Sequence, residues 1–262
     1  MRKIVYHISI LLLILLASLN YSLAQGPPIY TDTPILLGLE GSGIRTFGKF
    51  VEKEQASIYI QPIILPYNIT PKILLGAIVP LVNKKPDNMA ARFGVGDMAV
   101  FIKCTLYQKD GKAKTFRVVG KIKQVFPTGN SIEAPALGAD SYQTLFGVVT
   151  GYITTKIGLY SDIGYNITSN GLSDNFIYNF AVGYPLLRQQ YPAKQVNLFL
   201  ELNGNYFLEP QANNLFISPG VQWITGRRLL IESGVQLPML EQVAATQKTK
   251  FIFTLGIRVL LF

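Results

Sequence analysis

Hydrophobic and polar residues alternate along much of this chain, and the alternation is clearest near the C-terminus. From Val196 to Asn205, valine and leucine occupy the even positions up to Leu202, whereas the odd positions carry asparagine, glutamate and one phenylalanine. Side chains of a β-strand point alternately to its two faces. The pattern therefore predicts a strand with one apolar face and one mostly polar face.

Runs of about ten residues with this rhythm recur from residue 56 to the end of the chain, separated by segments with turn chemistry. Counting a glycine-rich first strand at Ile35–Phe50, they predict about twelve strands. Lys109-Asp110-Gly111-Lys112 predicts a tight hairpin turn, because Asp-Gly tolerates the positive φ that such a turn requires. Short connections alternate with longer polar ones, as in outer-membrane β-barrels.

The first residues have the features of a secretory signal peptide. Arg2 and Lys3 form a basic region, Ile8 to Leu16 is almost wholly apolar, and Ser22-Leu23-Ala24 offers small residues for cleavage. We therefore predict a signal peptide at residues 1–24, a periplasmic N-terminal lead-in at 25–34 and an outer-membrane barrel at 35–262. The alternative for the N-terminus is a membrane anchor, for which its apolar core is short.

Composition favours a membrane barrel over a soluble sheet protein. Hydrophobic residues make up 49% of the chain and charged residues only 15%, against an average near 25%. Yet after the signal no apolar run reaches the roughly 20 residues of a spanning helix. A transmembrane, antiparallel, up-and-down all-β barrel fits these numbers, and a secreted β-sandwich fits them less well.

Aromatic residues and the last residue support the membrane assignment. An aromatic girdle is predicted at the strand ends, from Tyr142, Tyr152, Tyr165, Tyr184, Tyr206 and Trp223. Outer-membrane barrels commonly end in an aromatic residue that the barrel-assembly machinery recognises, and Phe262 supplies one. The expected partners are therefore outer-membrane lipid, that machinery and small solutes, in a Gram-negative outer membrane.

Several classes of function are excluded by the residues that the chain lacks. Its single histidine, His7, leaves with the signal peptide, so no Ser-His or Cys-His dyad and no histidine-ligated metal site are expected. Cys104 is the single cysteine, which excludes an internal disulfide. Although the net charge is +9, no basic cluster is interleaved with aromatics, so nucleic acid is not an expected partner. We predict no enzyme activity and no cofactor.

A set of short motifs resembles a known family. They are Gly94-Val95-Gly96-Asp97, Phe126-Pro127-Thr128-Gly129, Leu137-Gly138-Ala139-Asp140-Ser141, Leu200-Glu201-Leu202-Asn203-Gly204, and Ser218-Pro219-Gly220-Val221-Gln222 with Gly234-Val235-Gln236-Leu237-Pro238. In this order they resemble the outer-membrane proteins associated with meta-pathway phenol degradation, related to FapF-type barrels. The resemblance implies a channel or transporter of about twelve strands. The coiled-coil plug of FapF-type amyloid exporters has no counterpart in the short lead-in.

The charged residues on the inward parity predict the lining of the lumen. They are Lys103, Arg117, Lys121, Lys123, Asp162, Glu201, Glu232 and Arg258. A basic wall facing an acidic wall would orient polar solutes and favour small ions, which gives a passive channel for small solutes with a mixed-charge lumen. Alternatively, the charges pair across a filled interior, which gives a plugged structural or ligand-binding barrel with no transport role.

Overall fold

The computed structural model describes residues 26–187, 194–226 and 228–261. The predicted signal peptide and Phe262 lie outside these residues. No helix in the described part is long and apolar enough to cross a membrane. The strands are β1 Ser42–Lys53, β2 Ala56–Thr70, β3 Ile73–Pro86, β4 Arg92–Val95, β5 Ala99–Gly111, β6 Lys114–Val125, β7 Gln143–Thr154, β8 Gly158–Thr168, β9 Asn175–Pro185, β10 Gln195–Phe207, β11 Ala212–Ile224, β12 Leu229–Glu241 and β13 Thr249–Leu261.

The strands form one closed antiparallel barrel. Neighbours in sequence pair around the sheet, and β1 closes it by pairing with β13, where Ser42 lies opposite Leu261. The short β4 and the longer β5 pair with successive parts of β3, so together they occupy one position in the wall. The described residues thus give twelve positions, and the predicted count is confirmed. We call the end where β1 starts and β13 ends the lower end.

Two local predictions differ from the structure. The first strand begins at Ser42 and not at Ile35, because residues 35–41 belong to an irregular segment. In the β5–β6 hairpin, Asp110 and Gly111 pair with Thr115 and Lys114 and are part of the ladder. The Asp110 carboxylate accepts a hydrogen bond from the Thr115 hydroxyl, which supports this extra pairing. The turn moves to Lys112–Ala113, where Ala113 has a φ of 59°.

The outer surface of the barrel is apolar. Its exposed side chains include Leu198 and Leu200 on β10 and Phe253, Leu255 and Ile257 on β13. Exposed aromatic residues lie near both rims, and they include Tyr142, Tyr152, Tyr165, Tyr184 and Trp223. An apolar band flanked by aromatic residues is the surface that a barrel presents to a bilayer.

The segment that precedes β1 lies inside the barrel. This N-terminal segment, residues 26–41, contacts the inner wall near the lower ends of several strands, and Gly26 O accepts a hydrogen bond from the Tyr160 hydroxyl at 3.2 Å. It rises to Glu201, the central residue of β10, and returns to Asn68 of β2, whose side chain accepts from Leu37 N–H at 3.1 Å. The proline-rich sequence predicts a periplasmic lead-in at residues 25–34. In the structure residues 26–34 contact the inner wall, where buried polar groups of the strands bind their backbone.

Candidate functional site in the barrel lumen

Glu201 holds the tip of the N-terminal segment. Its buried carboxylate accepts hydrogen bonds from three consecutive backbone N–H groups, those of Ile29 at 2.8 Å, Tyr30 at 3.1 Å and Thr31 at 2.5 Å. The side chain is 1% exposed. A buried carboxylate without such donors would carry a large desolvation cost. The backbone of the inserted segment supplies these donors and thereby satisfies the carboxylate.

Glu232 forms a second anchor nearer the lower end. Its carboxylate is fully buried and bridges two arginines, Arg45 at 2.8 Å and Arg258 at 2.7 Å. Each guanidinium also donates to the N-terminal segment, Arg45 to Ile29 O and Arg258 to Pro28 O. The cluster thus links β12, β1 and β13 to the segment through charge-assisted hydrogen bonds, which are stronger than neutral ones.

A third anchor joins the segment to the opposite side of the barrel. Asp32 forms ion pairs with Lys103 of β5 and Lys121 of β6. Lys121 also contacts Asp162 at 2.6 Å, although β7 lies between their strands. It reaches across because β7 has Gly147 there, and a Cβ on Gly147 would lie 2.9 Å from the lysine Cε.

Lys123 and Arg117 occupy different surroundings on β6. Lys123 borders the lumen cavity, and within the described residues it forms no ion pair or side-chain hydrogen bond. Arg117 lies near the lower end of the strand, 3.9 Å from Asp110. Arg117 therefore lies outside the charge clusters that contact the N-terminal segment.

The charges do not form two opposed walls. Asp162 contacts a basic residue two strands away, Glu232 lies between two arginines, and Glu201 accepts from backbone amides. The predicted transverse field between β6 and the Glu201 strand is replaced by local pairs around the N-terminal segment. The reason is that unpaired charges in a narrow lumen are costly, and the inserted segment brings partners within reach.

The inner face of β9–β13 is mostly a hydrogen-bonded polar surface, which we call the polar wall, although Ala181 and Phe199 on it form a buried hydrophobic cluster with Ile29 of the segment. Its buried side chains share donors and acceptors: Asn197 with Gln222 at 3.2 Å, and Ser218 with Asn203 at 2.6 Å. Gln222 also donates to Pro27 O of the N-terminal segment at 2.7 Å. The polar positions of the alternating sequence pattern thus form a hydrogen-bonded layer against which the segment packs.

The inner face opposite carries apolar side chains beside the lysines of β5 and β6, and we call its apolar part the apolar wall. Its members are Ile64, Leu74, Ile78, Phe101 and Leu145. Between this wall and the N-terminal segment lies a cavity of about 550 Å³, which is within the roughly 300–1,000 Å³ range of ligand pockets. It extends to the lower rim, where Gly226 and Leu260 border it.

The loop between β6 and β7 is fixed to the upper end of the wall by Asp97. The Asp97 carboxylate accepts from Gly129 N–H at 2.9 Å and Ala139 N–H at 2.7 Å. A Cβ on Gly138 would lie 2.7 Å from Gly129 O and 2.5 Å from Asp97 Oδ1, so the close approach of the loop to Asp97 requires a glycine here. Three of the sequence motifs quoted above therefore meet at one carboxylate and fix the loop, whose Leu137 is buried.

The loop between β8 and β9 has its own carboxylate. Asp174 accepts from Thr168 N–H at 2.7 Å and from the Tyr165 hydroxyl at 3.0 Å. Both hydrogen bonds, of which the one from the Thr168 backbone has the larger effect, hold the pKa of the Asp174 carboxyl below its usual value.

Within the described residues, no group of three or more His, Cys, Asp or Glu side chains is placed to hold a metal ion.

Sequence reasoning missed Asp32, Arg45 and Asp97 as parts of this site. Arg45 lies at an inward-facing position of β1. It would have been included among the lumen residues if the first strand had been assigned its correct start at Ser42. Asp97 lies in a quoted motif, but its partners are more than thirty residues away. Asp32 lies in an irregular proline-rich stretch, where no periodicity indicates a direction.

No protein-family model and no curated protein matches this chain. Solved structures do match. An outer membrane channel from Pseudomonas putida F1 superposes with a TM-score of 0.70 at 11% identity, covering 91% of this chain and 100% of that chain. The KdgM porin in complex with disordered oligogalacturonate gives 0.51 at 5% identity, with 82% and 98% covered.

A third match is the beta domain of the Bordetella autotransporter BrkA, with a TM-score of 0.50, 12% identity, and 84% and 98% covered. At these identities the matches show the fold alone. The resemblance to the phenol-degradation family stays a prediction, because none of these comparisons involves that pathway. The predicted fold class is confirmed: the chain folds as a closed twelve-position barrel of the outer-membrane type, with an outer surface suited to membrane lipid.

Proposed function

We propose that this protein is a passive channel for small solutes in a Gram-negative outer membrane, held closed by its own N-terminal segment. One observation carries the proposal: the segment fills the polar side of the lumen and leaves a cavity of about 550 Å³ along the apolar wall. A barrel of twelve strands has a narrow interior. Displacement of a segment of this size therefore changes the free cross-section substantially.

The lumen residues act here by holding the segment and by setting the charge of the pathway. Glu201 binds the segment directly, Glu232 binds it through Arg45 and Arg258, and Lys103 and Lys121 pair with Asp32 of the segment. Release therefore requires all three anchors to loosen. Lys103, Lys121, Lys123 and Arg258 border the cavity, which makes the pathway predominantly basic. With these groups and no histidine after residue 7, we propose transport and not catalysis.

The second candidate is a structural barrel without transport. It is favoured by the number of anchors, because a segment held by three buried charged groups is a stable plug. Under this alternative the segment never leaves. Under either function we propose insertion by the barrel-assembly machinery through the last strand and Phe262.

A reversible cross-link distinguishes the two. A Cβ on Gly151 would lie 2.7 Å from Pro34 Cγ, so cysteines at these positions come within disulfide range. We propose Pro34→Cys with Gly151→Cys in a Cys104→Ser background, with each single-cysteine variant as the control. The measurement is single-channel current in planar bilayers, before and after reduction.

For a channel, the oxidised double variant stays silent, and reduction restores openings like those of the controls. Openings that persist when the cross-link is complete would show that the segment does not gate the pore. If neither the reduced protein nor Glu201→Ala ever conducts, the structural barrel is the correct function.

A further inference from the structure

The lysine cluster that borders the lumen cavity contains one basic group without an acidic partner. Three lysines, Lys103, Lys121 and Lys123, border the cavity on β5 and β6. The two carboxylates near them, Asp32 and Asp162, pair with Lys103 and Lys121. This cluster therefore keeps one uncompensated positive charge. Of its three lysines, Lys123 is the one that forms no ion pair within the described residues.

The arginines at the lower rim add to this imbalance. Arg45 and Arg258 share the single carboxylate of Glu232, and Arg228 also borders the cavity. An ammonium or guanidinium group removed from bulk water is stabilised by an opposite charge at close range. The cavity as a whole is thus suited to an anion and opposes a cation.

The surroundings of Lys123 define the rest of the ligand. In the sheet register Lys123 lies between Phe101 on β5 and Leu145 on β7, and all three residues border the cavity. A small inorganic anion bound at Lys123 would leave these apolar side chains without contact. An apolar chain or ring attached to the anionic group would contact the buried Leu145 and cover the half-buried Phe101, which removes apolar surface from water.

We propose that the cavity binds a monocarboxylate with an apolar body, whose carboxylate pairs with Lys123 and whose body lies along Phe101, Leu145 and Ile78. This deepens the proposed channel function by naming its solute class. Only the statement that this solute is transported rests on the channel function. Binding itself does not require the segment to leave the polar wall.

The test is equilibrium binding of labelled octanoate to the barrel in lipid nanodiscs, with empty nanodiscs subtracted. Three probes separate the parts of the proposal: octan-1-ol keeps the chain without the charge, acetate keeps the charge without the chain, and octyltrimethylammonium inverts the charge. We expect saturable octanoate binding at least roughly tenfold tighter than for each of the other probes, because a charge-assisted contact and apolar burial are both needed.

The variant is Lys123→Met, which keeps the length of the side chain and removes its charge. We expect it to weaken octanoate binding at least roughly tenfold and to change octan-1-ol binding less than about twofold. Lys114→Met, an exposed position at the lower end of the same strand, is the matched control and leaves octanoate binding unchanged.

Three outcomes would overturn the proposal: no saturable octanoate binding, equal affinity of acetate and octanoate, or an unchanged octanoate affinity in Lys123→Met. None of them depends on conduction. A barrel that binds octanoate through Lys123 but never opens would refute the channel and leave the site standing. A barrel that opens but ignores octanoate would do the reverse.

Discussion

The polar wall and the apolar wall belong to one sheet, yet they serve different purposes. On the polar wall, Asn197, Ser218 and Gln222 are fully buried, and the N-terminal segment packs against them. On the apolar wall, Ile64, Ile78 and Phe101 border free volume. Polar groups that are buried need partners, so they hold a segment in place, whereas apolar groups make no such demand and leave space for a solute.

The largest effect on stability is expected when the polar wall is disrupted at Glu232. We expect Glu232→Ala to lower the free energy of unfolding by roughly 3–5 kcal/mol, because it leaves two arginines without their shared carboxylate. Denaturant titration of the detergent-solubilised barrel measures the change. Glu54→Ala, which removes an exposed contact to Lys250 at 3.7 Å, should cost no more than about 1 kcal/mol. Equal losses in the two variants would contradict the role of the buried cluster.

The next effect concerns the attachment of the segment and not the stability of the barrel. In a Cys104→Ser background, Thr31→Cys should react slowly with a maleimide, because Thr31 is buried. Adding Glu201→Ala removes the acceptor of three N–H groups, and we expect labelling to accelerate at least roughly tenfold.

Asn203→Ala is the control for this labelling experiment. Asn203 belongs to the polar wall and bonds Ser218 and Gln236, and it makes no hydrogen bond to the segment. The labelling rate should stay close to that of the parent. A similar acceleration of labelling in both variants would mean that the whole polar wall loosens. Glu201 would then contribute no more to the attachment of the segment than Asn203 does.

A smaller effect is expected at Gly147 on β7, the strand that also carries Leu145 of the apolar wall. A Cβ there would approach Lys121 Cε at 2.9 Å and Ile163 O at 3.0 Å, so Gly147→Ala should push the lysine from Asp162. We expect a loss of about 1–3 kcal/mol in unfolding free energy. A Cβ on Gly226 would meet nothing within 4 Å, so Gly226→Ala should change stability by less than about 0.5 kcal/mol. An unchanged free energy of unfolding in Gly147→Ala would show that the Lys121 side chain can reach Asp162 along another path.

The smallest effect is expected on the apolar wall. Ile64→Val removes one methylene next to an existing cavity, and we expect a cost of about 0.5–1 kcal/mol. Val119→Ala removes two carbons from a side chain that is 0% exposed, and its expected cost is about 2 kcal/mol. If the two variants lose the same amount when measured by denaturant titration, the apolar wall is as tightly packed as the rest of the interior.

Local sequence patterns predicted the barrel well and its contents poorly. The alternation in Val196–Asn205 placed Leu198 outside and Glu201 inside, since a strand has only two faces. The same reasoning failed for residues 25–34, where prolines and turns remove any periodicity. It also missed that Lys121 reaches Asp162, because Gly147 and the sheet register decide that contact.

The sequence by itself determined the number of strands and the parity of each strand that faces inward. These follow from local rules: the period of a strand and the chemistry of turns. Only the tertiary structure decided what fills the lumen. Glu201 and its three backbone donors are about 170 residues apart along the chain, and no local pattern relates them. Burial of that carboxylate requires a partner, and closure of the barrel brings the N-terminal segment to it.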